Sequence, residues 1–127
     1  MSPPVPPLQL DTSSTVPPFE QLRSQIARLA STGALAPGDK LPTVRQLAGE
    51  LGLAANTVAR AYRELEGDGV LVTEGRRGTF VRREAGPLSD EEVTRHVREL
   101  TSTARRFGLS LPETLRLVEQ AWTGRQR

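Results

Sequence analysis

Apolar residues in the first half of the chain recur at the spacing of helices. From residue 18 onward they fall at intervals of three and four residues, which places them on one face of an α-helix: Phe19, Leu22, Ile26 and Leu29. Pro18 suits a first helical turn, and Gly33 suits the position just past a helix end. We therefore predict a helix over residues 18–32.

Two shorter helices are predicted over residues 44–51 and 55–67. Thr43 and Gln46 have the spacing of a capping box, and Gly52 can end the first of these helices in the left-handed conformation. The inward-facing residues are Val44, Leu47, Ala48 and Leu51 in one helix, and Val58, Ala61, Tyr62 and Leu65 in the other. Two short helices joined by a tight turn are the layout of a helix-turn-helix.

A β-hairpin is predicted directly after the third helix. Residues 70–73 and 79–82 have the pattern of two strands, and the tip between them, residues 74–78, holds two glycines and two arginines. Helix, loop, helix, turn, helix and hairpin make a winged helix-turn-helix, which we assign to residues 17–83. The predicted fold class is thus mainly α with a small β-wing.

The last part of the chain, residues 87–127, is predicted to form two helices over 89–107 and 111–123. Ser89 with Glu92 and Ser110 with Glu113 have capping-box spacing. Apolar residues recur every three or four positions, as in a coiled-coil seam. With no core of its own, this helical hairpin is expected to pair with a second copy and form a homodimer. The predicted interface residues are Val93, Val97, Leu100, Ala104, Phe107, Leu111, Leu115, Val118 and Trp122.

The first 16 residues are predicted to be a flexible arm. Four prolines among the first seven residues leave little to bury, and we expect those seven to be disordered. Leu8 and Leu10 alternate with polar residues, so a short strand docked on the body stays open as an alternative.

Charge is distributed unevenly along the chain. Residues 18–83 hold ten Lys and Arg against seven Asp and Glu, whereas residues 84–127 hold seven of each. The positive excess therefore lies in the segment expected to meet phosphates. All basic residues except Lys40 are arginines, which suits phosphate and guanine recognition but equally fits an arginine-rich genome.

Composition excludes several classes of protein. Cysteine is absent, no secretory signal is apparent, and no apolar run approaches the ~18 residues of a membrane span. We therefore expect a cytoplasmic, nucleoid-associated protein without a membrane partner.

The start of the third helix is a candidate DNA-reading element. Small residues there, Ala54 and Ala55, would let the helix end approach DNA closely. Asn56 can bond adenine or phosphate, and Thr57 can bond phosphate or touch a thymine methyl. The alternative for Asn56 and Thr57 is simple capping of the helix.

Arginines supply the other candidate contacts. Arg45 lies in the first turn of the second helix, where a cation opposes the helix dipole unless an anion compensates it. Arg60 lies on the polar face of the third helix; Arg63 could contact DNA or pair with Glu66. The alternative for Arg45 is a solvated side chain that contacts no DNA. The alternative for the hairpin tip with Arg76 and Arg77 is a merely flexible turn. The full predicted DNA-binding set is Thr43, Arg45, Ala55, Asn56, Thr57, Arg60, Arg76, Arg77 and Gly78.

Several stretches carry a family resemblance. They are Pro18–Leu22, Gly33–Ala48, Leu51–Leu53, Asn56–Glu66 and Arg77–Val81. Across about residues 17–82 the chain closely resembles the GntR family of bacterial regulators, and its tail is similar to the short YtrA-like branch, which lacks a large effector-binding domain. The resemblance implies a dimer on a palindromic operator, with DNA contacts from Arg45, the Asn56–Thr57 region and Gly78.

Two departures from the family pattern concern the third helix. Family members often have a polar cap followed by Arg or Pro where this chain has Ala54 and Ala55, and many have an arginine where it has Ala59. Alanine removes a cap of roughly 1 kcal/mol and one phosphate contact. The operator sequence therefore cannot be inferred from the family.

Rival functions are an enzyme and a protein-interaction module. The single histidine, His96, has no partner cluster, and no phosphate loop or metal pattern is present, so we expect no enzyme, cofactor or metal site. The arginines of the hairpin tip argue against a protein-interaction module. The sequence predicts a sequence-specific DNA-binding regulator that acts as a repressor. An unidentified small-molecule effector stays open, with its site either near Phe107 and Trp122 or between the tail and the DNA-binding unit.

Overall fold

The computed structural model describes residues 8–83 and 90–124, and it divides into two compact units. The first unit contains three helices and a two-stranded antiparallel sheet, and the second contains two helices. The elements are α1 Pro18–Thr32, α2 Val44–Leu51, α3 Ala55–Gly67, β1 Leu71–Thr73, β2 Thr79–Val81, α4 Asp90–Arg106 and α5 Leu111–Gly124.

The predicted helices are confirmed, with bounds that differ by one residue at most. Each strand is one residue shorter than predicted, and the hairpin tip contains a single 3₁₀ turn, Gly75–Arg77. Gly33 and Gly52 end α1 and α2 in the left-handed conformation. The predicted cap at Ser89, and the proposed disorder of the first seven residues, lie outside the described residues.

The core of the first unit lies where α1 and α2 pack on α3. Leu22 and Ile26 of α1 and Val58 and Leu65 of α3 are fully buried. Leu41, in the loop before α2, is also buried and joins this cluster. Burial of each such side chain contributes roughly 1.5–3 kcal/mol, so the predicted helical stripes fix how the helices pack.

Residues 8–16 are held on α1 by glutamine side chains. Gln25 accepts a hydrogen bond from the amide of Gln9 at 2.9 Å and donates one to its carbonyl. Gln21 does the same for Asp11, at 2.8 and 2.9 Å. Leu8 packs against the core. The segment is thus attached to a helix by side-chain amides, and the alternative of a docked strand is not what the structure shows.

Helices α4 and α5 bury almost nothing within the second unit. A tight turn at Gly108 joins them, and Ser110 and Glu113 form the predicted capping box at the start of α5. Among the described residues of the two helices only Ala104 is buried. The apolar seam of each helix is therefore left uncovered.

Candidate nucleic-acid interface

The start of α2 is held by its own side chains. The hydroxyl of Thr43 accepts a hydrogen bond from the amide of Gln46 at 3.1 Å, and the Gln46 side chain accepts one from the amide of Thr43 at 2.9 Å. This is the predicted capping box. The Thr43 hydroxyl retains its proton, which it can donate to a phosphate oxygen.

Arg45 is exposed in the first turn of α2. No carboxylate of the described residues forms an ion pair with it. Because the helix dipole is positive at this end, the guanidinium is poorly placed for stability and well placed for an external anion.

The start of α3 has no side-chain cap. Ala54 takes the cap position in an extended conformation, and no side chain accepts a hydrogen bond from the first turn. Asn56 and Thr57 therefore do not cap the helix, which was the alternative for these two residues. The amides of Ala55 and Asn56 have no acceptor among the described residues and can bind an anion.

Helices α2 and α3 also lack acidic residues in their first turns. The other three helices follow the usual preference, with Glu20 in α1, Asp90, Glu91 and Glu92 in α4, and Glu113 in α5. The two helix starts that belong to the helix-turn-helix thus have no negative charge in their first turns, which favours contact with phosphates.

Arg60 is a predicted contact whose guanidinium already has two partners within the protein. Its guanidinium lies over the ring of Phe19 at 3.6 Å and pairs with Glu64 at 3.4 Å. It therefore links α3 to α1. The proposed Arg63–Glu66 pair is not formed between these two described residues. Glu66 accepts a hydrogen bond from Thr73.

The tip of the wing presents two exposed arginines. Arg77 pairs with Glu74 at 3.6 Å, while Arg76 has no ion pair within the described ranges. The amide of Gly78 donates to Gly75 over a long 3.2 Å bond, so it is already used in the turn.

Lys40 is a candidate contact that the sequence did not reveal. It lies in the loop before α2, but it pairs with Phe80 of β2 as an isolated antiparallel bridge. In the sequence it is distinguished only as the single lysine of the chain. That fact does not predict where in the fold its side chain lies.

The apolar surface of the second unit contains most of the predicted dimer residues. Ala104 differs, because it is buried. Exposure of the others ranges from 39% for Val118 to 80% for Phe107. They are Val93, Val97, Leu100, Phe107, Leu111, Leu115, Val118 and Trp122. Such a surface is typical of a site that binds another protein surface.

The described residues contain no group of three or more His, Asp or Glu that could hold a metal. His96 is exposed and lies 3.7 Å from Glu99 on the same helix. No helix in the described part of the chain has the length and apolar character to cross a membrane.

A winged helix-turn-helix whose second and third helices begin without acidic residues, with Arg45 exposed at the first of them, defines a DNA-binding transcription regulator. The model for bacterial regulatory proteins of the gntR family matches residues 18–81. The chain belongs to the GntR family. Its relatives are transcription regulators and not enzymes.

Individual relatives share this likeness, and one of them matches most of the chain. The regulator Rv1152 of Mycobacterium tuberculosis is 47% identical over 111 residues, which cover 87% of this chain and 90% of the relative. The repressor YtrA of Bacillus subtilis is 43% identical over 74 residues, 58% of this chain and 57% of the relative. The resemblance to short YtrA-like regulators is thereby confirmed.

Solved structures agree with the fold. YtrA from Sulfolobus acidocaldarius, a GntR-family transcription factor, matches with a TM-score of 0.56 and 30% identity over 91% of this chain and 97% of that one. The DNA-binding domain of AraR in complex with operator ORX1 matches with a TM-score of 0.52 and 28% identity over 58% of this chain and 92% of that one.

Proposed function

We propose that the chain is a homodimeric repressor that binds a palindromic operator. In each copy α3 enters the major groove, the start of α2 meets the adjacent backbone, and the wing flanks the site. The observation that carries the DNA-binding mode is the pair of acid-free starts of α2 and α3. Its proposed place of action is the bacterial cytoplasm, on the nucleoid, because the DNA lies there.

The dimer is supported by the apolar surface of α4 and α5. Two copies related by a two-fold axis can cover this surface and hold two wings about one helical turn of DNA apart. Palindromic operators follow from that symmetry. The repressor assignment is supported by similarity to regulators named as repressors, among them YtrA of Bacillus subtilis.

Selection of bound duplexes from a random pool tests this proposal. We expect an inverted repeat to emerge, and we expect binding to weaken steeply with salt. Sedimentation of the free protein should give twice the mass of one 13.9 kDa chain. A bound motif without two-fold symmetry, or a monomer on the operator, would contradict the proposed mode.

A small-molecule effector is proposed only for the surface near Phe107 and Trp122. Both side chains are largely exposed in the single chain. Trp122 is the sole tryptophan, so its fluorescence reports a ligand bound there. Unchanged fluorescence across a metabolite panel would argue against such a site.

A further inference from the structure

Lys40 belongs in sequence to the loop before α2, but in space it lies on the wing. Its backbone pairs with Phe80, and the amide of the next residue, Leu41, donates to the carbonyl of Thr79 at 2.8 Å. Two further 2.8 Å hydrogen bonds tie this loop to Val81. The loop therefore lies beside β2 and is hydrogen-bonded to it, so Lys40 adds a positive charge to the wing.

The side chain of Lys40 crosses Gly78. A Cβ atom built on Gly78 would lie 2.8 Å from Cε of Lys40 and 3.6 Å from its Nζ. The shorter distance is one that real Cβ atoms do not show. Gly78 also has φ of +116°, a backbone conformation that other residues rarely adopt. The backbone conformation therefore favours glycine at this position, and a side chain there would also displace the lysine stem from where it lies.

The ammonium of Lys40 has no acidic partner among the residues that the structure describes. Its side chain is exposed, and no carboxylate within residues 8–83 and 90–124 pairs with it. By contrast, Arg77 on the same wing pairs with Glu74. Lysine combines an unbranched stem, which can lie flat across a glycine, with a compact charge at its end that suits a phosphate.

We propose that Lys40 is a DNA-backbone contact of the wing, and that Gly78 allows the lysine stem to lie across it. This inference rests on the proposed function, because it requires the wing to lie beside DNA. A lysine bound to a phosphate strengthens binding to every sequence alike and releases about one condensed counterion. Its effect therefore differs from that of a base-reading residue.

The test compares Lys40→Met with Lys40→Arg and with Arg28→Ala, an exposed position on α1. Binding of the full chain is measured by fluorescence anisotropy at several salt concentrations, on the selected operator and on a random duplex. For Lys40→Met we expect an equal fold-loss on both duplexes. The slope of log K against log salt is negative, and its magnitude should decrease by about 0.9 for each Lys40 removed from the complex. Lys40→Arg should keep the slope, and Arg28→Ala should resemble the wild type.

Each outcome separates this inference from the proposed function. If Lys40→Met keeps the wild-type slope while the wild type still prefers its operator, the Lys40 contact is wrong and the proposed function stands. A loss confined to the operator would also overturn the backbone contact. If the wild type shows no salt-dependent binding to either duplex, the proposed function fails, and the Lys40 contact fails with it.

A double-mutant cycle tests the part played by Gly78. In a Gly78→Ala background the lysine stem can no longer lie where it does, so Lys40→Ala should cost less affinity than it costs in the wild type. Circular dichroism confirms that each variant is folded. Equal losses in both backgrounds would overturn the link between the two residues. If Gly78→Ala does not fold, the salt slopes of the Lys40 variants still decide the contact itself.

Discussion

The hydroxyl of Tyr62 donates a hydrogen bond to the carbonyl of Pro42 at 2.7 Å. Tyr62 is buried in α3, and Pro42 directly precedes the Thr43 cap of α2. The bond therefore links the reading helix to the segment that positions Arg45. Replacing Tyr62 by Phe should lower the free energy of unfolding by about 1 kcal/mol and also weaken operator binding. Urea unfolding and anisotropy titrations measure the two effects; unchanged values in both would show that the bond positions nothing.

Stability at high pH should depend on the same tyrosine. Burial, reinforced by the nearby negative charge of Glu50, raises the pKa of Tyr62 above its ordinary value. The unfolded chain then loses the phenolic proton first, so this contribution is complete below about pH 10 and is lost as the pH rises further. Wild type and Tyr62→Phe should therefore converge in stability above pH 10. Tyr62 is the single tyrosine, so tyrosinate absorbance follows it directly.

Arg45→Ala should weaken operator binding by about 1–3 kcal/mol without lowering the free energy of unfolding. The guanidinium has no partner within the described residues, and its removal relieves an unfavourable charge at a helix start. Anisotropy and urea titrations on one preparation separate the two quantities. The matched control is Arg28→Ala on α1, for which both should stay at wild-type values. An unchanged affinity would remove Arg45 from the interface.

Gln21 and Gln25 act as a clamp that holds the N-terminal segment on α1. This clamp gives a prediction about local opening of the segment. Gln25→Ala removes the acceptor of the Gln9 amide, so hydrogen exchange at that amide should accelerate. Gln25→Glu keeps an acceptor oxygen and should preserve most of the protection. The neighbouring exposed Ser24 supplies the control variant Ser24→Ala. Equal exchange rates in all three would show that the clamp does not hold this segment in solution.

Val97→Glu should convert the proposed dimer into a monomer. Val97 is 54% exposed in the single chain, so a charge there is tolerated by the chain but is costly in an apolar interface. Ser102→Glu places the same charge on the opposite face of α4 and should leave a dimer. Sedimentation velocity distinguishes the two masses. If the Val97→Glu variant still sediments as a dimer, the two copies contact each other through a different surface.

The helices of this protein could be predicted from sequence because their signals are local. Thr43 and Gln46 lie three residues apart, and each apolar stripe repeats within one helix, so the bounds and the caps follow from neighbours in the chain. The contacts that were missed join distant positions. Arg60 reaches Phe19, and Lys40 reaches Gly78, through packing that no periodicity encodes.

Two further features, the burial of Ala104 and the attachment of residues 8–16, also depend on more than local pattern. Ala104 shares the spacing of the seam, but spacing does not say which of its members the chain itself will cover. The N-terminal segment carries too few apolar residues to predict its attachment, which depends on backbone groups recognised by two glutamines. Because the two glutamines bind backbone groups, the side chains of the residues they hold give no sign of the attachment.

The uncovered seams of α4 and α5 make the behaviour of the protein depend on its concentration in the cell. In the proposed dimer these helices gain their stabilising contacts only when two chains meet, so the stability of this part of the molecule depends on how much protein is present. At low abundance, the number of dimers grows with the square of the number of chains. The operator would then pass from empty to filled over a narrow range of expression, and the cell's own supply of the regulator becomes one of the signals that it answers.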